Sequence, residues 1–277
     1  MKLWIGQHRR LACLLVGACI LGAAILALVL SYGQNDGSLE RVRARGVLRV
    51  GMDASFPPFA WLDGESMPIG YEVELAHDIA AQLGVRAQIV NIAFDSLYDA
   101  LQADRVDAII SGLSYDERRT KEVIYSQPYF DAGQLLVLST TAKDNTDEKS
   151  DVFRLLENRR VAVEWGSTGD MKARQLQSLV VRCSILSYLS AEEALAALVH
   201  GESDVAIADA VSVYRFAAAH PGTIRVAQQL TEEPYVIATS ARSPSLAKAI
   251  EAALDTLKRT GTLDHLRDRW LTATDLP

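Results

Sequence analysis

Residues 101–114 read LQADRVDAIISGLS, and a fragment of the same construction, LVHGESDVAIAD, covers residues 198–209. In both fragments a Leu stands six residues before an Asp, and that Asp, Asp107 or Asp204, opens a short apolar run. Such a run is typical of a buried strand, and the residues before it have the pattern of a helix. Because the same unit occurs in both halves of the chain, we expect two lobes of similar construction.

The elements around these fragments alternate between helix and strand. Ala76, Ile79, Ala80 and Leu83 share one face of a helix that Gly84 ends. The alternation breaks at the polar residues 140–150 and then resumes, which predicts two α/β lobes, each with a mostly parallel sheet covered by helices. The predicted strands cover residues 47–51, 88–92, 106–110, 134–138, 160–164, 181–186 and 205–208, and the predicted helices cover residues 72–83, 95–103, 191–200 and 246–258, with a short helix from Glu117 and a last helix that closes on Trp270.

A charge-free segment, residues 11–30, precedes the globular part, with three basic residues before it. Its length suits a helix that spans about 30 Å of hydrocarbon, and it exceeds the usual signal-peptide core of about 7 to 15 residues. We expect an uncleaved membrane anchor, with cleavage after Gly33 and lipidation at Cys19 as the alternatives. In each case the remainder is exported to the periplasm or to the outer face of the cell membrane.

The exported part is acidic and poor in cysteine. Of the 28 Lys and Arg residues three lie within residues 1–33, whereas all 35 Asp and Glu residues follow Gly33, so the remainder has a net charge of about −10. An acidic surface disfavours nucleic acid as a partner. Cys183 is the only cysteine after residue 33, which excludes an internal disulfide in the exported part.

The sequence contains no pattern typical of a metal centre or of a catalytic triad. His77, His200, His220 and His265 are scattered, and none has the spacing of metal ligands. No Ser-His-Asp order can be argued either. We therefore predict no metal, no cofactor and no catalytic residue.

Two motifs carry a resemblance to a known family. Residues 70–76, GYEVELA, are similar to the signature Gly-(Phe/Tyr)-Asp-x-(Asp/Glu)-Leu-Ala, with Glu72 in place of the more usual Asp. Residues 107–114, DAIISGLS, are followed by the charged triplet of residues 117–119. From about Gly46 to Trp270 the chain resembles the extracellular solute-binding proteins of family 3, the polar amino-acid receptors of ABC importers.

The resemblance implies an α/β, two-lobe periplasmic-binding-protein-like fold (type II) with a hinge, preceded by the N-terminal hydrophobic segment. Two crossovers, near Leu135–Ser139 and Glu233–Ile237, would let the lobes close on a ligand by hinge motion. It also implies a monomer whose partners are the membrane subunits of an ABC importer, with the membrane reached through the N-terminal segment. The expected divisions are 1–38 for the signal or anchor segment and linker, 39–134 for the first part of lobe 1, 135–233 for lobe 2, and 234–277 for the return segment of lobe 1.

The resemblance also assigns residues to the ligand's α-carboxylate, at loops beyond the carboxyl ends of the strands, where open α/β sheets bind ligands. Arg119, with Ser114, is expected to hold the carboxylate, because a guanidinium fork meets it with two parallel hydrogen bonds. Thr168 lies at a Gly-Ser-Thr-Gly helix start, where backbone N–H groups favour anions. We expect Arg118 to be a surface residue. The alternative for Arg119 is a solvated helix charge.

The resemblance assigns the ligand's ammonium group to two turns, one at Asp209 in lobe 2 and one at Ser111 and Gly112 in lobe 1. Asp209 ends a strand where the family places the carboxylate that binds the ammonium. The turn at Ser111 and Gly112 is expected to add a carbonyl, since the missing side chain at residue 112 permits close approach. Alternatively, Gly112 only allows the turn. Asp204 is expected to be a capping or turn residue.

Four further residues are expected to contact the ligand's side chain. Phe56 and Phe94 correspond to the positions that clamp it, with core packing as the alternative. Asp53 and Glu164 end strands of the two lobes, and two carboxylates close together repel unless a cation lies between them. We therefore expect a polar, cationic side chain, with arginine or lysine ahead of histidine and glutamine. Alternatively, Asp53 caps its own loop and Glu164 points to solvent.

Two other classes of function remain open. Exported cyclohexadienyl dehydratases resemble the same family, and Glu164 could serve such an enzyme as an acid. An enzyme of that kind would need an extra basic group where this sequence has Asp53 and Glu164, so we expect a binding protein and not an enzyme. The sensor domain of a membrane receptor is expected less, since no signalling domain follows in the sequence.

Overall fold

The computed structural model describes residues 36–141, 151–180 and 182–271. The predicted hydrophobic segment 11–30, the cleavage position after Gly33 and the lipidation position Cys19 lie outside these residues. Within the three described ranges, no helix has both the length and the apolar character needed to cross a membrane.

The helices and strands follow one another along the whole described chain. The helices are α1 (Ser38–Arg45), α2 (Tyr71–Leu83), α3 (Leu97–Gln102), α4 (Val152–Leu156), α5 (Thr168–Gln177), α6 (Ala191–Val199), α7 (Ala210–Ala219), α8 (Pro244–Arg259) and α9 (Thr262–Leu271), with 3₁₀ turns at Phe94–Ser96 and Glu117–Arg119. The strands are β1 (Val47–Met52), β2 (Ser55–Phe56), β3 (Ala60–Leu62), β4 (Pro68–Ile69), β5 (Arg86–Asn91), β6 (Ala108–Ile109), β7 (Val123–Tyr125), β8 (Phe130–Asp131), β9 (Gln134–Ser139), β10 (Arg160–Glu164), β11 (Ser184–Tyr188), β12 (Val205–Asp209), β13 (Ile224–Gln229), β14 (Pro234–Tyr235) and β15 (Ala238–Ser240).

Two five-stranded sheets form two lobes, and both sheets have the same topology. Lobe 1 has the strand order β5-β1-β6-β15-β7, and lobe 2 has the order β11-β10-β12-β9-β13. In each sheet the fourth strand of this order, β15 or β9, is antiparallel to both of its neighbours. Each of these strands is the first sheet strand that the chain forms after crossing from the other lobe, which explains its reversed direction.

The two crossovers pair with each other between the lobes. β8 and β14 form a two-stranded antiparallel sheet in which Phe130 lies opposite Tyr235. The predicted position of the first crossover, Leu135–Ser139, is wrong, because these residues form β9, whose side chains are all buried. β9 is covered on both edges by β12 and β13, so the first crossover lies upstream, around β8.

Helix α2 anchors the core of lobe 1. It begins at Tyr71 after Gly70, where an added Cβ atom would lie 2.3 Å from the carbonyl oxygen of Phe59, so only glycine fits at the start of this motif. The helix buries an apolar face that includes Leu75 and Ile79. The C-terminal helices α8 and α9 both pack against α2, which returns the end of the described chain to lobe 1.

The repeated Asp of the sequence forms the same ion pair in both lobes. Asp107 precedes β6 and accepts hydrogen bonds from Arg49 on β1, with Nη2 2.8 Å from Oδ1 and the backbone N 2.8 Å from Oδ2. Asp204 precedes β12 and accepts from Arg160 on β10, where both corresponding distances are 2.9 Å. Asp204 thus lies directly before its strand and pairs with Arg160, where the sequence predicted a capping or turn residue, and both ion pairs lie at the amino ends of the central strands.

Candidate functional site

The carboxyl ends of β1, β5 and β6 form one polar face of lobe 1. Because these strands are parallel neighbours, Asp53 after β1 comes beside Ser111 after β6, and the Asp53 N–H donates to the Ser111 hydroxyl at 2.9 Å. A cavity of about 310 Å³ opens at this face. It is lined by Asp53, Ser55, Phe56, Phe94, Ser111, Gly112 and Tyr235.

The carboxylate of Asp53 is occupied within its own loops. The Ser55 hydroxyl donates to Oδ1 at 2.6 Å, and the Phe94 backbone N–H donates to Oδ2 at 2.8 Å. This arrangement is the loop-capping alternative for Asp53, although the residue also lines the cavity. Its direct role is to hold the loop that presents Phe94.

The two predicted clamp residues lie on the surface of lobe 1 and not in its core. Phe56 is 45% exposed and Phe94 is 46% exposed. Phe56 stacks on the buried ring of Phe59, with ring centroids 5.4 Å apart. Gly112 has a φ of 54°, and an added Cβ atom would lie 3.3 Å from the Phe56 ring, so the turn packs directly under that ring. Both aromatic rings are therefore available to a ligand in the cavity.

Arg118 and Arg119 have different surroundings. The Arg118 guanidinium donates to both carboxylate oxygens of Asp116 at 2.9 Å, and its side chain is 89% exposed. Arg119 makes only longer ion pairs among the described residues, 3.8 Å to Asp116 and 3.6 Å to Glu122. Its guanidinium carbon lies 4.0 Å from the centroid of the Tyr98 ring, which fixes the plane of the fork.

Ser114 is exposed and joins the second crossover through an isolated bridge to Tyr235. Ser114 and Arg119 are not among the residues that line the lobe 1 cavity.

The carboxyl ends of β10 and β12 form the corresponding face of lobe 2. They border a cavity of about 200 Å³. Asp209 starts helix α7, and its Oδ1 accepts the Ser212 N–H at 2.9 Å. Thr168 is the first residue of α5, which the Ser167 hydroxyl caps through the Asp170 N–H at 3.1 Å. The cavity is lined by Gln134, Glu164, Ser167, Thr168, Ala191, Ile207, Ala208, Asp209 and Glu233.

Two polar residues of this face were not predicted from the sequence. Gln134 is buried on β9, opposite Asp209 in the strand register. An added Cβ atom at Gly169 would lie 2.8 Å from Gln134 Oε1, so the glycine leaves room for this amide beside the start of α5. Glu233 comes from the second crossover, and burial together with the charges of Asp209 and Asp131 raises its pKa. The sequence indicated these two residues only indirectly, since Gln134 begins a predicted strand and Glu233 begins a predicted crossover.

The acidic groups make lobe 2 a face for cations. Glu164, Asp209 and Glu233 line the same cavity, and none of the three forms an ion pair with another described residue. The mutual repulsion of carboxylates at one site favours a bound cation. Glu164 is half-buried at the cavity wall, and within the described part of the chain no group donates a hydrogen bond to its carboxylate, which is therefore open to a ligand.

The predicted residues thus collect into two groups on two facing lobes. Asp53, Phe56, Phe94, Ser111 and Gly112 line the lobe 1 cavity. Glu164, Thr168 and Asp209 line the lobe 2 cavity, while Arg119 and Ser114 belong to the lining of neither. The geometry suits two half-sites that complete each other when the lobes approach.

Comparison with known proteins extends over both lobes. Residues 48–273 match the profile of the bacterial extracellular solute-binding proteins, family 3. The probable ABC transporter arginine-binding protein ArtJ of Chlamydia trachomatis serovar D is 31% identical over 225 residues, which cover 80% of this chain and 84% of that protein. The L-cystine-binding protein TcyJ of Escherichia coli strain K12 is 25% identical over 260 residues, which cover 92% and 95% of the two chains.

Solved structures give the same two-lobe architecture. An ancestral cationic amino acid solute binding protein is 30% identical, with a TM-score of 0.62 and coverage of 84% of this chain and 99% of that one. An ancestral cyclohexadienyl dehydratase is 27% identical, with a TM-score of 0.69 and coverage of 84% and 95%. The fold is therefore the periplasmic-binding-protein-like α/β fold with two lobes.

Proposed function

The chain belongs to the bacterial extracellular solute-binding proteins of family 3, and from this premise we propose that it binds a free basic amino acid between its lobes for an ABC-type importer. The observation that carries the proposal is that each lobe has a polar cavity at the carboxyl ends of its parallel strands. Lobe 1 offers the guanidinium of Arg119, and lobe 2 offers the carboxylates of Asp209 and Glu164. An amino acid in its zwitterionic form carries the complementary charges.

Arg119 is the proposed partner of the ligand's α-carboxylate. Its neighbour Arg118 is already neutralised by two hydrogen bonds from its guanidinium to Asp116, whereas Arg119 makes only ion pairs of 3.6 Å or more. Stacking over Tyr98 leaves the edge of the Arg119 fork for a bidentate carboxylate. The start of α5 at Thr168 adds backbone N–H groups from the other lobe.

Asp209 is the proposed partner of the ligand's ammonium group. One of its oxygens caps α7, which fixes the orientation of the carboxylate. Glu233 lines the same cavity as Asp209. Burial raises the pKa of Glu233, and the negative charge of Asp209 raises it further. A bound ammonium would relieve this repulsion, because an opposite charge favours the ionised form of both acids.

Glu164 is the proposed partner of a cationic side chain. Asp53, which the sequence paired with Glu164, has both oxygens occupied by Ser55 and Phe94, so we assign the cation to Glu164 and Glu233 in lobe 2. Phe56 and Phe94 would flank the alkyl stem and add a cation–π contribution of about 0.5 to 2 kcal/mol. The relative named as an arginine-binding protein supports arginine or lysine as the ligand, whereas the relative named as a cystine-binding protein supports cystine as the alternative.

A second candidate function follows from the similarity to an ancestral dehydratase. Glu164 or Glu233 could supply an acid for that reaction, but a substrate with a second carboxylate needs an additional basic group. No Lys or Arg lines either described cavity, and the one guanidinium that we assign to the ligand, that of Arg119, is already taken by the α-carboxylate, so neither cavity offers a basic group to a second carboxylate. We therefore propose a binding protein, acting as a monomer on the outer side of the cytoplasmic membrane.

Ligand competition tests the proposed side-chain specificity. In calorimetric titrations, arginine or lysine should bind more tightly than glutamine or glutamate. Glu164→Gln should weaken arginine binding by about 1 to 2 kcal/mol, since it removes a charged partner, and should leave glutamine binding nearly unchanged. Glu202→Gln removes the same charge from an exposed turn at the far end of lobe 2 and serves as the control.

If glutamine or glutamate binds as tightly as arginine and lysine, or if Glu164→Gln leaves arginine affinity unchanged, the proposed basic ligand is wrong. The proposal of an amino-acid ligand would survive that result, because it depends on Arg119 and Asp209.

A further inference from the structure

Glu72 is a buried acid that forms no ion pair with any residue that the structure describes. It is the second residue of α2, within the motif of residues 70–76, and only 1% of its surface is exposed. The groups that shift its pKa are the hydroxyl of Tyr129 and the backbone of Gly112, with no Lys or Arg among them. A buried carboxyl without a cation is costly unless hydrogen bonds offset the cost, so the groups that donate to Glu72 indicate its role.

The contacts of Glu72 join the ligand face to the crossovers. Its Oε1 accepts the Gly112 N–H at 2.5 Å and also accepts the hydroxyl of Tyr129. The Tyr129 backbone N–H donates to the Tyr235 carbonyl at 2.9 Å, which links the first crossover to the second. One carboxylate therefore holds a turn of the lobe 1 cavity and the start of the segment about which the lobes would move.

We propose that Glu72 is a positioning residue for the ligand site, and that its carboxylate fixes the Gly112 turn against the crossover at Tyr129. The inference rests on the proposed function, because it concerns the affinity for the ligand. Glu72 is not among the residues that line the lobe 1 cavity, whereas Gly112, which it holds, and Phe56, which packs against Gly112, both line it.

The role of Glu72 predicts a pH-dependent affinity. Burial raises the pKa of Glu72 to about 7, while the hydrogen bonds from Tyr129 and Gly112 oppose the rise. The other titratable groups that face it are Tyr71, Tyr129 and Tyr235, and burial raises the pKa of each hydroxyl further above its ordinary value. Among these groups only Glu72 changes its charge near neutral pH.

The sign of the effect follows from the donors. Gly112 N–H and Tyr129 O–H both donate to the ionised carboxylate, and charge-assisted hydrogen bonds are stronger than neutral ones. Protonation below pH 7 weakens both contacts and loosens the turn, so ligand affinity should fall as the pH falls. For the unliganded protein the sign is opposite: because the folded pKa is raised above the unfolded value of 4.5, ionisation costs stability as the pH rises from about 4.5 to 7.

Calorimetric titration of arginine into the full chain in detergent, between pH 5.5 and 8.5, tests the inference. The wild type should bind about three- to ten-fold more weakly at pH 5.5 than at pH 8. Glu72→Gln should bind more weakly at pH 8 and show a flat profile, and Glu72→Asp should restore part of the pH dependence. Glu74→Gln, on the same helix and paired with Arg269, should keep the wild-type profile. Glu233→Gln separates the contribution of the other acid near the site whose pKa is raised.

The outcomes separate this inference from the proposed function. If no amino acid binds the wild type at any pH, the proposed function is wrong. If the wild type binds and Glu72→Gln keeps both its affinity and its pH profile, the positioning role is wrong. Should Glu72→Gln fail to fold, Tyr129→Phe decides: loss of the hydroxyl should move the midpoint of the profile to higher pH, because that hydrogen bond lowers the pKa of Glu72, and an unmoved midpoint would overturn the inference.

Discussion

Two adjacent arginines show how the surroundings of a residue decide its role. Arg118 and Arg119 belong to the same short 3₁₀ turn, and Asp116 caps that turn by accepting the Arg118 N–H. Asp116 binds the Arg118 guanidinium through both of its oxygens and leaves Arg119 with distant carboxylates only. The turn thereby separates a neutralised surface arginine from one whose fork is oriented by an aromatic ring.

Arg119→Ala should weaken amino-acid binding by about 2 to 5 kcal/mol, because it leaves the ligand's carboxylate without its partner in the closed cleft. Arg118→Ala, one position away, should change the affinity little. Titration calorimetry on folded samples of both variants measures the difference. Equal effects from the two substitutions would show that the register assigned to this loop is wrong.

The sequence indicated the positions of site residues better than their bonding partners, and contact with a ligand stays a prediction for each of them. Gly112 and Ser111 line the lobe 1 cavity at the turn of the sequence motif. Asp53 lines the same cavity, but its oxygens accept hydrogen bonds from Ser55 and Phe94, and no sequence pattern shows where a neighbouring loop will place an N–H group. Glu233 was read only as part of a crossover, since its approach to Asp209 depends on tertiary structure.

At the scale of elements, the repeated Asp is the clearest signal that the sequence carries. Asp107 and Asp204 each bind an Arg on the neighbouring central strand at the amino end of the sheet. The pair fixes the register of two parallel strands whose carboxyl ends support the cavity residues. It therefore acts on stability at the end of each sheet opposite the ligand.

Asp107→Ala should lower the free energy of unfolding by about 1 to 3 kcal/mol, because the backbone N–H and guanidinium of Arg49 lose a half-buried, charge-assisted acceptor. Asp104→Asn is the control, since that carboxylate is 76% exposed, its 3.4 Å pair with Arg242 should contribute at most about 0.5 kcal/mol, and Asn, unlike Ala, tolerates the φ of 54° at this position. Chemical denaturation of both variants compares them. A loss of stability no greater for Asp107→Ala than for the control would contradict the role assigned to the pair.

Strand and helix prediction was accurate where periodicity was strong. The strand Arg160–Glu164 was predicted with its observed bounds, and the helix predicted for residues 72–83 begins one residue earlier. The strand predicted for residues 181–186 is observed at Ser184–Tyr188. Helix α7 was missed because its start signal, Asp209, was assigned to the ligand, and that residue serves as the cap of the helix whatever else it binds.

At the scale of the whole molecule, the shared topology of the two sheets explains how a cleft arises. Both lobes direct the carboxyl ends of parallel strands to a polar cavity, and the paired crossovers β8 and β14 connect them. The alternation of elements predicted the two lobes, whereas the position of the first crossover depended on whether β9 would be central or exposed. β9 is completely buried between β12 and β13. Periodicity could not predict this position, because a continuous apolar run is compatible with a central strand and with a crossover segment.

Arginine should reduce the radius of gyration of the protein, because a ligand that bridges Arg119 and Asp209 stabilises the closed arrangement of the lobes. Small-angle X-ray scattering with and without ligand measures this change, and Arg119→Ala at the same ligand concentration should remain at the unliganded value. Binding of arginine with no change in the scattering profile would place the ligand on one lobe only.

The most direct measurement is a calorimetric screen of the twenty amino acids against the full chain in detergent. The account predicts saturable binding of one ligand per chain, with arginine or lysine as the tightest, and loss of that binding in Arg119→Ala and Asp209→Asn. Absence of binding by every amino acid, or equal binding by the wild type and both variants, would contradict the claim that the cleft is an amino-acid site.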